Sequence, residues 1–228
     1  MNTEETADTL QPGSAPTVTI LPRPDGSLLV QGELRVVDPD GTDVEVKEKF
    51  SLCRCGASKN KPFCDASHRE IGFSSARETD RPIDRYRAYE GEGITVEDNR
   101  TICGHLQYCV HDLPSVFNRE ARPWIDPDGA EPEEVADLVH RCPSGALVAR
   151  IAGERADRVN LEPVVRIVED GPYVVEGPIG LEVDASLQPP VADRYTLCRC
   201  GASRNRPYCD GSHLALEPGW GRLPERSV

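Results

Sequence analysis

The chain has 228 residues, with 39 acidic against 26 basic side chains and a formal net charge of −13. That balance argues against nucleic acid or an anionic membrane as partner. Only 38% of the residues are hydrophobic and 5% aromatic, thin for one large core, so small modules fastened by something besides burial are expected.

In chain order, residues 1–16 (MNTEETADTLQPGSAP) are acidic and polar. They lack the basic and apolar regions of a signal peptide and read as a disordered tail. No run reaches the length of a membrane span. The chain is therefore expected in the cytoplasm, where thiols stay reduced. Nine cysteines there, an odd number, argue for metal ligation over disulfides.

The segment DGSLLVQGEL (25–34) is a Gly turn followed by a short β-branched run and reads as strands. CRCGASKNKPFCDASH (53–68) follows, with Cys53, Cys55, Cys64 and His68 as candidate ligands. Further on, GITVED (93–98) reads as a strand and DLPSVF (112–117) as a short helix. PEEVADLVHR (132–141) is a better helix, with Pro at its first position, acids in its first turn and Val135, Leu138 and Val139 on one face. GALVARI (145–151) reads as a strand. At an offset of 145 residues, DGPYVVEGPI (170–179) and CRCGASRNRPYCDGSH (198–213) repeat the first copy, the latter with twelve of sixteen positions identical. A duplicated module with an insertion accounts for this. The units expected are a tail at 1–16, one module at 17–78, a small α+β domain at 79–160, and a second module at 161–228.

Cys-x-Cys, then Cys, then His four residues on, provides two donors for each iron of a [2Fe–2S] rhomb: Cys53 with Cys55 and Cys64 with His68. The second copy pairs Cys198 with Cys200 and Cys209 with His213. A tetrahedral Cys₃His zinc site uses the same donor types and stays open on spacing alone. Asp65 and Asp210 read as N-caps, which puts each His at the third helical position of a turn aimed at the cluster. Each sixteen-residue loop carries a net +2, from Arg54, Lys59, Lys61 against Asp65 and from Arg199, Arg204, Arg206 against Asp210. Such charge would offset an anionic thiolate cluster. An imidazole ligand must be neutral to bind, with a free pKa of about 6.5, so acid is expected to compete with iron.

Between the copies, CGHLQYC (103–109) and RCPSGAL (141–147) resemble the ferredoxin order Cys-x₂-Cys-x₂-Cys with a later Cys-Pro. Here Leu106 stands at the middle position, leaving Cys103, Cys109 and Cys142. Three thiolates suit a [3Fe–4S] cluster. A [4Fe–4S] cluster requires His105, His111 or solvent on the fourth iron. Three cysteines buried in a helical core are the bland alternative. His140 reads as structural or solvated.

The pattern Cys-x-Cys-x₂-Ser-x₃-Pro-x-Cys-Asp-Gly-Ser-His resembles the CDGSH, or NEET, iron–sulfur family, whose members bind a Cys₃His [2Fe–2S] cluster. Ser58, Pro62 and Asp65 satisfy it in the first copy, and Ser203, Pro207 and Asp210 in the second. Ala66 departs from the motif glycine; read as the first helical residue, it is harmless, whereas a positive φ would cost about 1 kcal/mol. Residues 93–151 resemble the divergent mono-cluster ferredoxin-like domain found fused to such modules. These resemblances imply a β-rich α+β fold, with two CDGSH modules paired pseudo-symmetrically within one monomeric chain and a ferredoxin-like insertion.

The function implied is a soluble electron carrier with two [2Fe–2S] clusters and one [3Fe–4S] or [4Fe–4S] cluster, serving reductase or acceptor proteins. A redox or pH sensor or cluster donor with labile His-ligated clusters is the alternative, and a zinc-dependent interaction module a third. No enzyme is expected, because the sequence shows no nucleotide-binding Gly loop, no Ser-His-Asp candidate and no paired carboxylates in a clear site context.

Overall fold

Apolar residues on either side of an Asp-Gly turn build the first elements. In the computed structural model, which describes residues 17–80, 85–156 and 162–224, β1 (Val18–Pro22) and β2 (Leu28–Gln31) form an antiparallel hairpin. Asp25 sits at φ 46° in its turn. β3 (Arg35–Val37), β4 (Lys49–Leu52) and the single-turn helix α1 (Ser67–Glu70) complete the first copy. The tail expected at 1–16 lies outside the described residues.

The insertion contributes β5 (Arg87–Glu90), β6 (Ile94–Asp98), α2 (Tyr108–Asp112), α3 (Pro132–His140), β7 (Leu147–Ile151) and β8 (Glu154–Arg155). Its four strands make one antiparallel sheet in the order β5-β6-β7-β8. Val135, Ala136, Leu138 and Val139 of α3 pack on this sheet with Ile94, Val96, Leu147 and Ala149 to form a core of their own. The strands at 93–98 and 145–151 and the helix at 132–141 thus form largely where the pattern places them. The helix expected at 112–117 does not: helical backbone stops at Asp112, and Val116 and Phe117 are buried in turns. Pro114 supplies the reason, since the residue before proline is pushed out of the helical region. Leu113 accordingly has φ −139° and ψ 65°.

The second copy repeats the first with β9 (Val164–Ile167), β10 (Tyr173–Glu176), β11 (Ile179–Leu181) and β12 (Arg194–Leu197). The copies exchange strands. β3 pairs in parallel with β9, and β11 in parallel with β1, giving sheets of order β11-β1-β2-β4 and β12-β10-β9-β3. Gly32, at φ 106°, and Gly177, at φ 86°, turn each chain out of its own hairpin toward the other. A side chain on Gly32 would collide with the Thr17 carbonyl. Neither copy completes a four-stranded sheet alone, so both share one core, in which Ile20, Val30 and Leu52 meet Val165, Val175 and Leu197. No helix among the described residues is long and apolar enough to cross a membrane.

Candidate metal centres

Each motif loop is closed by backbone bonds that the repeat duplicates. The Cys53 N–H donates to the Pro62 carbonyl and the Cys198 N–H to Pro207, both at 2.8 Å. The Ser58 and Ser203 hydroxyls donate to the Phe63 and Tyr208 carbonyls, both at 2.7 Å. The donors then converge in pairs. Cys53 and Cys55 sulfurs lie 3.7 Å apart and Cys64 Sγ lies 3.4 Å from His68 Nδ1. In the second copy the distances are 3.8 Å for Cys198–Cys200 and 3.4 Å for Cys209–His213. Among the described residues no three His, Cys, Asp or Glu side chains close around a single ion. Each copy therefore presents two bites of two donors. The contact from Cys55, against the cost of burial, brings the Cys53 thiol down to about 6, helped by the Ser58 and Gly56 amides. The Cys198 thiol comes down to about 6 in the same way.

The turn that carries each histidine differs from its expected form. Asp65 and Asp210 stand one residue ahead of the cap. Asp210 accepts from the Ser212 N–H at 3.0 Å, the Ser212 hydroxyl at 2.7 Å and the Arg204 N–H at 2.8 Å. Asp65 makes the equivalent bonds to Ser67 and Lys59. The cap itself is left-handed, Ala66 at φ 72° and Gly211 at φ 85°. Ala66 is therefore not a harmless first helical residue, and His68 and His213 occupy the second helical position. Only glycine suits site two for a second reason: a Cβ on Gly211 would overlap the His105 ring from the insertion.

The loop charges also behave differently from solvated turn residues. Arg54 and Arg199 are 3% and 1% exposed. Arg54 Nε donates to the Gly26 carbonyl at 2.6 Å, and Arg199 donates to the Gly171, Gly221 and Val168 carbonyls at 3.0, 2.7 and 2.8 Å. Burial pulls Arg54 down to about 10, while the field of Cys198, across the repeat axis, favours its charge. Arg199 in turn feels Cys53. At that axis Cys55 and Cys200 form a backbone bridge. Arg204, by contrast, spends its charge on Glu78 and Asp80 at the surface.

Cys103, Cys109 and Cys142 line one cavity together with Leu106. Burial and the neighbouring sulfurs push Cys103 up to about 12 and Cys109 up to about 11. Buried thiols such as Cys103 and Cys109 become thiolates most readily with a cation among them, as a cluster provides. His111 is exposed on α2 and does not line this cavity. His105 has its backbone N–H 3.4 Å from Cys103 Sγ, while its ring lies against Gly211. Burial lowers the pKa of His213, and the neighbouring His105 adds to that shift.

Two further residues escaped the sequence reading. Tyr173 of the second copy donates to the Cys53 and Pro62 carbonyls at 2.8 and 3.1 Å, although Leu28 holds the matching place in the first copy. Arg194, 2% exposed, donates to the Cys142 carbonyl at 2.9 Å and also bonds the Val139 and Leu147 carbonyls. It ties the strand leading to Cys198 to the backbone of the third central cysteine. Nothing in its sequence surroundings signals this role.

The comparisons with known proteins follow the same division. Residues 25–69 and 170–214 both match the family described as iron-binding zinc finger, CDGSH type. Residues 89–151 match the divergent 4Fe-4S mono-cluster family. The uncharacterized protein YjdI of Escherichia coli strain K12 is 43% identical over 65 residues, covering 28% of this chain and 86% of YjdI. YjdI of Escherichia coli O157:H7 matches to the same extent. With both motif loops built alike and the central cysteines lining one cavity, the chain carries two CDGSH-type iron-binding modules around a divergent 4Fe-4S mono-cluster domain.

Proposed function

We propose that the protein is a multi-cluster electron carrier, not an enzyme. Cys53, Cys55, Cys64 and His68 would hold one [2Fe–2S] cluster and Cys198, Cys200, Cys209 and His213 another. Cys103, Cys109 and Cys142 would hold a [3Fe–4S] or [4Fe–4S] cluster. The observation that carries this reading is the contact series between the three donor sets. The terminal sites meet at the Cys55–Cys200 bridge, and His105 beside Cys103 lies on Gly211 beside Cys209. Bound clusters supply one-electron chemistry; the chain's own residues supply donors, shield them from water and fix their spacing. Nine free cysteines support a reducing compartment such as the cytoplasm, and the exchange of strands within one chain supports a monomer.

Iron and sulfide are expected well above what two [2Fe–2S] centres supply. Cys103→Ser, Cys109→Ser and Cys142→Ser should each remove one EPR species and spare the others. Because Leu106 lines the same cavity, Leu106→Cys should turn a [3Fe–4S] signal into an EPR-silent oxidised cubane. Stoichiometric zinc with no visible absorbance would sink the reading, and full iron content in all three serine variants would make the central cysteines mere core.

A second reading, cluster donor or sensor, is favoured by the unequal cover of the two histidines. His213 is 5% exposed and His68 only half-buried. On either reading acid reaches His68 first. Below about pH 6.5 a free imidazole takes a proton and can no longer bind iron. Stopped-flow absorbance between pH 5 and 8 should therefore show two phases, with His68→Cys slowing the faster and His213→Cys the slower. A single phase unchanged in both variants would remove these histidines from the ligand set. Transfer of iron to an apo-acceptor, set against reduction by a reductase, separates donor from carrier.

A further inference from the structure

Beside the central cavity the insertion carries a cleft of about 760 Å³ that the cluster reading does not use. Arg85, Arg87, Arg100, Arg119 and Arg122 line it. The side chains come from the segment before β5, from β5 itself, from the turn after β6 and from the 119–122 loop. None of the five forms an ion pair with a described residue. Arg87 lies over the Tyr89 ring at 5.0 Å and Arg100 over the Trp124 ring at 4.7 Å. Arg122 donates to the carbonyls of Arg119 and Ala121. Among the described residues the single acid in the lining is Asp98, which is 5% exposed. Like charges gathered this way repel one another, and among the described lining residues only the buried Asp98, whose charge acts on Arg100 and Arg87, offsets part of that cost. In a chain of net charge −13 this is a strong local reversal of sign.

We propose that this cleft is the docking surface through which an acidic one-electron redox protein reaches the central cluster, a proposal that rests on the electron-carrier reading above. Three observations select that partner. Asp98, Arg100 and Trp124 line both the cleft and the cysteine cavity, so whatever seats on the arginines stands next to Cys103, Cys109 and Cys142. The arginines are exposed side chains around an open rim, and the lining has no glycine-rich loop that would cradle a single phosphate with backbone N–H groups. An extended carboxylate-bearing face matches five spread guanidinium groups better than a point anion does. Finally, an acidic partner is repelled by most of this acidic chain and attracted here, which orients each encounter toward the central site. The step is transfer of one electron between the central cluster and the partner's redox centre. One centre is oxidised and the other reduced, and no bond forms or breaks.

The test uses the cluster-loaded full chain with a reduced plant-type ferredoxin as acidic probe, followed by stopped-flow absorbance. The wild-type rate is expected to fall about tenfold or more as salt rises. Arg85→Glu with Arg119→Glu should slow the low-salt reaction by a similar factor and leave iron content unchanged. Lys47→Glu with Lys49→Glu, the same charge change on the exposed β4 side of the first module, should stay within about twofold of wild type. Equal slowing by both pairs would overturn the proposal by reducing it to net charge. Stoichiometric binding of pyrophosphate or ATP that leaves the ferredoxin reaction unchanged would also overturn it and assign the cleft to a small polyanion. The electron-carrier reading has its own control: a central cluster that exchanges electrons with neither ferricyanide nor hexaammineruthenium defeats that reading, whatever the arginine variants do.

Discussion

Gly201→Ala should empty both terminal sites at once. A Cβ at this position would stand 2.5 Å from the Cys55 carbonyl oxygen, and Gly201 also sits at φ 80°. The obstacle is backbone against backbone, so no flexible side chain can yield. The left-handed strain costs about 1 kcal/mol and the overlap about 1–3 kcal/mol or more. Together these are a large part of the roughly 5–15 kcal/mol that holds a domain folded. Gly56→Ala should act alike, because Gly56 meets the Cys200 carbonyl across the same axis. The strand exchange explains why the damage cannot stay local: β3 and β11 each complete the other copy's sheet, so parting the loops opens the common core. Iron analysis with EPR, alongside thermal unfolding, checks this. Loss confined to the mutated module, with the other signal intact, would show that the two sites are independent.

Gly211→Ala should destabilise the second site and have a specific rescue. The new Cβ would overlap the ring of His105, whose backbone N–H lies 3.4 Å from Cys103 Sγ. The expected cost is about 1 kcal/mol of left-handed strain plus about 1–3 kcal/mol of overpacking. The strain alone is tolerable, because Ala66 already adopts φ 72° at the matching position of the first site. Adding His105→Ala should therefore recover all but the strain. The reverse change, Ala66→Gly, should stabilise the first site slightly, by up to about 1 kcal/mol. Unfolding midpoints and the retention of each EPR signal under acid or chelator provide the readout. If His105→Ala fails to rescue Gly211→Ala, the ring is not what makes glycine necessary there.

The candidate donors were legible because ligand spacing is local. Cys-x-Cys and Cys-x₃-His set each pair within one or two turns of chain, and the 145-residue offset displays the same pairs twice. α3 was legible for a similar reason, since proline at its start and apolar residues at helical spacing act within nine residues. The short helix at 112–117 was misplaced because an apolar pair near Pro114 looks helical in composition although proline denies it helical backbone. The loop arginines were legible as charges set beside the thiolates, but not their depth: the fold buries Arg54 and Arg199 against carbonyls.

By itself, then, the sequence determined the duplication, three sets of candidate donors, the β-rich modules and the α+β insertion, because each depends on residues near one another in the chain. Only the tertiary structure decided how the parts meet. The exchange of β3 and β11, the reach of Tyr173 to the Cys53 loop, the hold of Arg194 on Cys142 and the seat of His105 on Gly211 join residues dozens to more than a hundred positions apart. Contacts of that kind follow from packing and from satisfying buried polar groups, which leave no periodic trace in a single sequence. The five arginines of the cleft illustrate the same division. Scattered between positions 85 and 122 they read as ordinary surface charge, and only folding gathers them beside the central cysteines.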